Sequence, residues 1–318
     1  MFHLACLGRF RAVLFSVCLF SSAIFLLLAP AGCAPGEDRG TDNGNGDNAV
    51  EQPAEPREET VRIVYVEWAS EIASSYVVKT VIEEKLGYNC ELLPVTVISM
   101  WESVAAGDQD GMVAAWLPSL HEHYYETHKD QVENLGPNLE GAVMGLVVPE
   151  YVPIDSIEQL HDNVEEFEGN IIGIDPEAGI MEKTDQVIEE YDLHDYQLIT
   201  GSDSTMTTTL GNAIEEERWI VATGWTPHWK FARWDLKYLQ DPKGVFGEEE
   251  HIGTIVRQGL EEDMPRVYSF LDNFYWSAAD MEQVMLWTRE EGTSPADAAK
   301  RWVEENEELV LEWVGEFE

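Results

Sequence analysis

Short apolar runs alternate with polar or amphipathic stretches from residue 61 onward. Runs rich in Val, Ile and Leu with turn residues around them are typical of buried strands. The predicted strands are residues 61–66, 91–98, 111–116, 142–148, 170–174 and 219–223. Between them, amphipathic stretches predict helices, the first of which has Ser70 as its N-cap. This alternation predicts an α/β fold with buried sheets.

The C-terminal part of the chain has a helical pattern instead. Asp280 precedes an apolar stretch that predicts a helix over residues 281–288, with the aspartate as its cap. Ser294 followed by Pro295 predicts the start of a further helix, because serine caps well and proline suits the first helical position.

The N-terminus has the pattern of a targeting segment. Arg9 and Arg11 precede an uncharged apolar stretch over residues 12–29, which indicates a signal peptide covering residues 1–32. Small residues before Cys33 resemble a bacterial lipobox, in which that cysteine is lipidated, although Pro30 departs from the usual aliphatic residue. The alternative is an uncleaved signal anchor, since about 20 apolar residues can span a bilayer. Either interpretation predicts an extracytoplasmic protein, lipid-anchored in the first case.

Residues 33–60 contain almost no large apolar side chains and predict a flexible acidic tether. The whole chain has 61 acidic residues against 19 basic ones and a formal net charge of -42. Such a chain repels phosphate backbones, which excludes nucleic acid as a partner. Because the acidic excess is spread along the sequence, it favours a haloadapted source in which salt screens self-repulsion.

Four cysteines are too few and too poorly placed for a disulfide framework or a cysteine zinc site. They are Cys6, Cys18, Cys33 and Cys90.

Three of the eleven tryptophans stand out by their context. Trp68, Trp116 and Trp225 lie at the ends of predicted strands among turn and polar residues, where α/β folds place ligand sites. Their indole faces suit a quaternary ammonium, a cation that cannot donate hydrogen bonds. Seven other tryptophans lack this context, and we assign them to packing. They are Trp101, Trp219, Trp234, Trp276, Trp287, Trp302 and Trp313.

A second candidate element is the turn from a predicted strand into a helix at residues 173–181. The backbone N–H groups of Gly179 and Ile180 would lie at a helix N-terminus, which favours a carboxylate through hydrogen bonds and the helix dipole. Taken alone the signal is weak, because many such turns bind nothing.

Four segments carry a combined signal: Glu67-Trp68-Ala69-Ser70, Ala115-Trp116-Leu117-Pro118 with His121, Gly173-Ile174-Asp175-Pro176 with Gly179-Ile180-Met181, and Gly224-Trp225-Thr226-Pro227. Together they resemble the glycine betaine-binding lipoproteins of ABC-type osmoprotectant importers, over about residues 61–314. The resemblance implies that Trp68, Trp116 and Trp225 box the ammonium group. It gives the ligand carboxylate to the side chain of His121 and to the amides of Gly179 and Ile180.

The same resemblance implies a two-lobed, periplasmic-binding-protein-like α/β fold (type II) with the ligand in the inter-lobe cleft. We place the first lobe at residues 61–147 plus 245–318 and the second at residues 148–244. The expected partners are a methylated zwitterion such as glycine betaine, and a separate ABC permease with its ATPase. No enzymatic activity and no cofactor are expected.

Two alternatives stay open at this point. Choline or carnitine also has a methylated onium head, although the carboxylate-binding turn argues against choline. A metal-binding lipoprotein would use the histidine cluster His121, His123 and His128, but the spacing is poor for zinc. His228, beside Trp225, is a reserve candidate for ligand contact.

The acidic composition predicts a salt-dependent stability. We expect the melting temperature to rise between low and molar NaCl, because salt screens repulsion among the carboxylates. The rise should be about 2–4 °C for each kcal/mol of repulsion removed. Thermal melts followed by circular dichroism measure it, and an unchanged melting temperature would contradict salt adaptation.

Overall fold

The computed structural model describes residues 60–315, so the predicted signal peptide, Cys33 and nearly all of the predicted tether lie outside the described residues. The strands are β1 (Thr60–Tyr65), β2 (Asn89–Pro94), β3 (Gly111–Leu117), β4 (Val132–Pro149), β5 (Asn170–Ile172), β6 (Gln197–Ile199), β7 (Ala222–Thr226), β8 (Leu236–Tyr238) and β9 (Glu250–Arg257).

Helices cover both the segments between the strands and the C-terminal part of this region. The α-helices are α1 (Ala69–Val81), α2 (Val97–Ala105), α3 (Glu122–His128), α4 (Gly179–Glu190), α5 (Asp203–Glu215), α6 (Lys230–Arg233), α7 (Leu260–Asp263), α8 (Pro265–Asn273), α9 (Ala278–Trp287), α10 (Pro295–Glu305) and α11 (Glu307–Val314). A π-helical turn (Ile82–Leu86) extends α1, and a 3₁₀ segment (Ile157–Asn163) follows β4.

Within residues 60–315 the strands form one continuous sheet in the order β2-β1-β3-β9-β4-β7-β5-β6, with β8 also on β4. β1 pairs in parallel with β2 and β3, and β7 and β6 pair in parallel with β5. β9 is antiparallel to both β3 and β4. The sheet therefore has a parallel part at each end and an antiparallel part between them.

The long strand β4 passes from one part of the sheet to the other. Its residues 132–142 pair with β9, and its residues 143–147 pair with β7. We call residues 60–142 and 250–315, which contain β1, β2, β3 and β9, the first half, and residues 143–249, which contain β5, β6, β7 and β8, the second half. The crossing lies five residues before the lobe boundary proposed from the sequence, and the division into lobes stays a prediction.

Several element ends differ from those predicted. Ser70 does not cap α1 but lies inside it, and the N-cap is Trp68, whose side chain makes no capping bond. The predicted strand over residues 91–98 ends at Pro94, because Thr96 caps α2 by accepting from the amide of Ser99. β7 begins at Ala222 and includes Trp225, which therefore lies within a strand rather than after one.

The helix ends in the C-terminal part follow capping rules more closely. α9 is capped by Ser277, whose hydroxyl accepts from the amide of Asp280, while the Asp280 carboxylate accepts in return from the Ser277 amide. Asp280 thus completes a capping box at the third position rather than acting as the cap. The predicted start at Ser294 and Pro295 is confirmed for α10, with the same kind of box.

Stacked aromatic rings hold the C-terminal helices together. Trp302 stacks on Trp313 with ring centroids 5.5 Å apart, and Trp276 meets Trp302 edge-on at the same distance. All three are at most 2% exposed, which confirms their expected role in packing. Because α10 also packs on α1, this cluster supports the helix that begins beside Trp68. In the described part of the chain, no helix combines the length and apolar character needed to cross a bilayer.

Candidate functional site

A cavity lies between the two halves of the molecule and, together with the open solvent at its mouth, comprises about 340 Å³ of empty space. It is lined by Trp68, Trp116, Leu120, His121, Ile174, Ala178, Gly179, Ile180 and Trp225. All six residues that the sequence singles out as ligand contacts therefore lie around one space. The lining contains no acidic side chain, and His121 is its only titratable group.

The three indoles come to the cavity from different elements. Trp68 precedes α1 and Trp116 belongs to β3, both in the first half, whereas Trp225 belongs to β7 in the second half. Each is almost fully enclosed, with exposures of 6%, 3% and 5%. Because each indole is almost fully buried, a cation–π contact with it is stronger than at an exposed site.

Contacts outside the cavity orient two of these rings. The indole N–H of Trp68 donates to Oδ2 of Asp175 over 2.8 Å. Trp225 has the imidazole of His228 edge-on at 4.8 Å and the ammonium nitrogen of Lys230 at 3.9 Å from its ring centroid. Lys230 is fully buried, and desolvation lowers its pKa to about 7. Lys230 is not part of the cavity lining.

His121 is a neutral hydrogen-bond donor by virtue of its surroundings. Its Nδ1 accepts from the backbone N–H of Trp116 over 3.2 Å, which leaves the ring hydrogen on Nε2. The side chain is 1% exposed, and burial lowers its pKa to about 3. Trp101 packs edge-on against the ring, with centroids 6.0 Å apart. His121 can therefore donate one hydrogen bond without carrying a charge.

A buried carboxylate that the sequence analysis did not identify fixes the loop before His121. Glu250, at the start of β9, is 3% exposed and accepts from the amide of Ser119 at 3.0 Å, from its hydroxyl, and from the amide of Leu120 at 3.3 Å. These bonds satisfy the buried charge. They hold in place the segment that carries Leu120 and His121.

The N-terminus of α4 faces the same space. Ala178 is the N-cap and offers no side-chain acceptor, so the first-turn amides of Gly179 and Ile180 have no intrahelical partner. A Cβ at Gly179 would lie 2.4 Å from the carbonyl oxygen of Leu120, which only glycine avoids. The helix end of the second half thus lies directly against the backbone of the first half.

The arrangement can hold a small molecule with a cationic apolar head and an anionic end. The lining offers three aromatic rings to such a head, and it offers the Nε2–H of His121 and the amides of Gly179 and Ile180 as hydrogen-bond donors to such an anion. The reserve candidate His228 is buried but lies outside the lining, where it bonds to Asp203.

The remaining histidines of the cluster do not join the cavity. His123 is exposed and His128 is half-buried. Across residues 60–315 there is no group of three or more His, Cys, Asp or Glu side chains placed to hold a metal ion. Cys90 is a buried free thiol whose pKa burial raises to about 12.

Comparisons with known proteins are consistent with each other. The profile of the family described as the substrate binding domain of ABC-type glycine betaine transport system matches residues 59–305. A curated protein from Listeria monocytogenes, the glycine betaine/carnitine transport binding protein GbuC, is 50% identical over 151 residues, which are 47% of this chain. That match covers 50% of GbuC, so the chain spans about half the length of this relative.

Solved structures extend the similarity to most of the chain. Lactococcal OpuAC, in a closed conformation with glycine betaine, is 41% identical with a TM-score of 0.76, covering 81% of this chain and 100% of that one. The glycine betaine/L-proline-binding protein ProX from Borrelia burgdorferi is 40% identical with a TM-score of 0.78, and the match covers 81% of this chain and 97% of ProX. These likenesses confirm the expected fold class, the mixed α/β fold of periplasmic substrate-binding proteins.

The buried neutral state of His121 makes the stability depend on pH. An unfolded histidine has a pKa of about 6.5, whereas that of folded His121 is lowered to about 3. As the pH falls through this interval, the unfolded state takes up a proton that the folded state does not, and the free energy of unfolding decreases. Between pH 7 and pH 5 this contribution amounts to about 2 kcal/mol.

We predict that the His121→Asn variant loses about 2 kcal/mol less stability than the native chain between pH 7 and pH 5. The asparagine oxygen can still accept from the Trp116 amide, so the loop keeps its bond. Urea unfolding at both pH values measures the difference. The His161→Asn control replaces an exposed imidazole and should reproduce the native pH dependence. Equal pH dependence of His121→Asn and the native chain would contradict the prediction.

Proposed function

The chain belongs to the family of substrate-binding domains of ABC-type glycine betaine transport systems, and from this we propose that it captures glycine betaine in the cavity between its two halves. Trp68, Trp116 and Trp225 surround the trimethylammonium group in this proposal. His121, Gly179 and Ile180 donate hydrogen bonds to the carboxylate.

The observation that carries the proposal is the combination of a charge-free aromatic space with three convergent N–H donors. A quaternary ammonium cannot donate hydrogen bonds, so a carboxylate in the lining would attract it through charge alone and would form no hydrogen bond with it. Indole faces supply about 0.5 to 2 kcal/mol each when desolvated, which is enough for several kcal/mol from three walls. Hydrogen bonds to an ionised carboxylate contribute about 1.5 to 3 kcal/mol each. A methylated zwitterion satisfies both parts at once.

The position of the contacts supports closure around the ligand. Trp68, Trp116 and His121 belong to the first half, whereas Trp225 and the start of α4 belong to the second half. A zwitterion that touches both halves gains its full binding energy only when they close, and this difference shifts the population toward the closed form.

We place the closed protein in an import pathway. In this proposal a separate membrane permease and its ATPase receive the ligand, and lipidation of Cys33 anchors the chain at the extracytoplasmic face. Labelling of intact cells with palmitate, for the native chain and for Cys33→Ala, tests the anchor. Equal labelling of both would remove it from the proposal.

We predict that Trp225→Ala weakens glycine betaine binding by at least about tenfold, since one desolvated aromatic wall is lost. Trp225→Phe keeps a ring face and should retain most of the affinity. Isothermal titration calorimetry of the native protein and both variants at high salt measures the effect, and melting curves check that each variant is folded. An unchanged dissociation constant for Trp225→Ala would remove this residue from the site.

Parallel titrations with choline and with zinc test the ligand class. Choline carries the same onium head without the carboxylate, so it should bind more weakly than glycine betaine. Tighter choline binding would overturn the role given to the α4 amides. Saturable binding of zinc without binding of glycine betaine would overturn the proposed ligand class.

Gly179→Ala tests the approach of the two halves. The added methyl group would meet the Leu120 carbonyl oxygen at 2.4 Å, and backbone on both sides must move to relieve the overlap. We predict at least about tenfold weaker glycine betaine binding, equivalent to about 1.4 kcal/mol. Because the overlap exists only while the halves are close, the melting temperature without ligand should change little. Native affinity in this variant would contradict the closed geometry.

A further inference from the structure

Away from the cavity lining, one buried carboxylate has hydrogen-bond partners in both halves of the molecule. Asp203 is the first residue of α5 and is 5% exposed. Its Oδ2 accepts from the backbone N–H of Ala69 over 2.9 Å, and its Oδ1 lies 3.1 Å from Nε2 of His228. Ala69 begins α1 in the first half, whereas His228 follows β7 in the second half.

The protonation states of this group are set by its surroundings. The amide of Lys230 donates to Nδ1 of His228 over 3.1 Å, so Nε2 carries the ring hydrogen and donates to Asp203. Burial lowers the pKa of His228 to about 4, which keeps the imidazole neutral near pH 7. Burial by itself would raise the pKa of Asp203, but His228, Lys230 and the Ala69 amide outweigh it and hold the pKa below its usual value. Asp203 is therefore an ionised acceptor.

Both partners of Asp203 are adjacent to walls of the cavity. Ala69 directly follows Trp68, whose indole N–H is held by a second carboxylate of the second half, Asp175. The ring of His228 meets Trp225 edge-on, with an interplanar angle of 90°. One carboxylate thus connects the backbone beside Trp68 to the ring that supports Trp225.

We propose that Asp203 is a positioning residue that couples closure of the two halves to the alignment of Trp68 and Trp225. When the halves are together, its negative charge stabilises the N-terminus of α1 through a charge-assisted hydrogen bond and the helix dipole. When they separate, the bond to Ala69 is lost while the bond to His228 remains within the second half. Separation thus removes an interaction that the open form cannot replace except with water.

This coupling acts on ligand release rather than on capture. The bond to Ala69 forms after the ligand enters, so it should leave the association rate unchanged and slow dissociation. The kinetic form of the proposal rests on the proposed function, since it uses glycine betaine as the ligand.

The test compares Asp203→Asn with Asp185→Asn, which removes the same charge from an exposed position on α4. In Asp203→Asn the amide nitrogen faces the N–H of His228 or of Ala69, so one of the two bonds must break. Stopped-flow tryptophan fluorescence with glycine betaine should show dissociation at least about tenfold faster in Asp203→Asn, with an association rate within about twofold of native. Asp185→Asn should match the native protein in both rates.

Two outcomes of the kinetic experiment would overturn the proposal. In the first, Asp203→Asn releases ligand no faster than Asp185→Asn. In the second, association slows as much as dissociation accelerates, which indicates a general disturbance of the site. Melting curves without ligand identify a folding defect, and Asp203→Ala, which lacks any side-chain donor that could oppose His228, then replaces the asparagine variant.

Amide hydrogen exchange in the ligand-bound protein separates this proposal from the proposed function. With saturating glycine betaine, exchange at Ala69, followed by NMR, should be at least about tenfold faster in Asp203→Ala than in Asp185→Asn, since the amide loses its acceptor. Equal exchange in both ligand-bound variants would overturn the role of Asp203 although glycine betaine binds. Calorimetry that shows no glycine betaine binding by the native protein would instead overturn the proposed function.

Discussion

The approach of the α4 N-terminus to the Leu120 carbonyl is the contact on which the rest of the site depends. Only a glycine at position 179 lets two backbones lie this close, and the separation sets how far Ile180 and Trp225 stand from the walls of the first half. Glu250 holds Leu120 from within the first half, so the surface that Gly179 meets is itself fixed. The cavity is thus shaped by backbone contacts rather than by adaptable side chains.

The distribution of charge around the cavity follows a single rule. A chain with a formal charge of -42 has carboxylates almost everywhere, yet none lines this space. Asp175, Asp203 and Glu250 are each engaged by N–H donors of a wall or a loop of the cavity. A free carboxylate inside would repel an anionic group held by Gly179 and Ile180. These three carboxylates therefore position the walls through contacts outside the lining, and the N–H donors of the lining stay available for a ligand.

The sequence revealed the parts of the site whose signals are local. Trp68 and Trp116 were recognisable from the turn residues beside them, and Gly179 from its place between a strand and a helix. Asp203 and Glu250 were not, because carboxylates are too frequent here to stand out and their partners lie 134 and 131 residues away. The length of β4 was missed as well, since Gly136, Pro137 and Gly141 interrupt its apolar pattern while pairing with β9 continues past them through irregular steps.

The continuity of β4 limits how the two halves could move in the proposed closure. Because its residues up to Ala142 pair with β9 and those from Val143 pair with β7, the halves share a strand and cannot come apart without breaking the sheet. Relative motion must then be taken up as bending where the pairing is irregular. The step between Glu140 and Ala142 is such a place, with Gly141 at φ 80° in the left-handed region that glycine adopts freely. In the proposed closure, a bend there would turn Trp225 and α4 toward the first half as one body, preserving the geometry of each half while changing the distance between them.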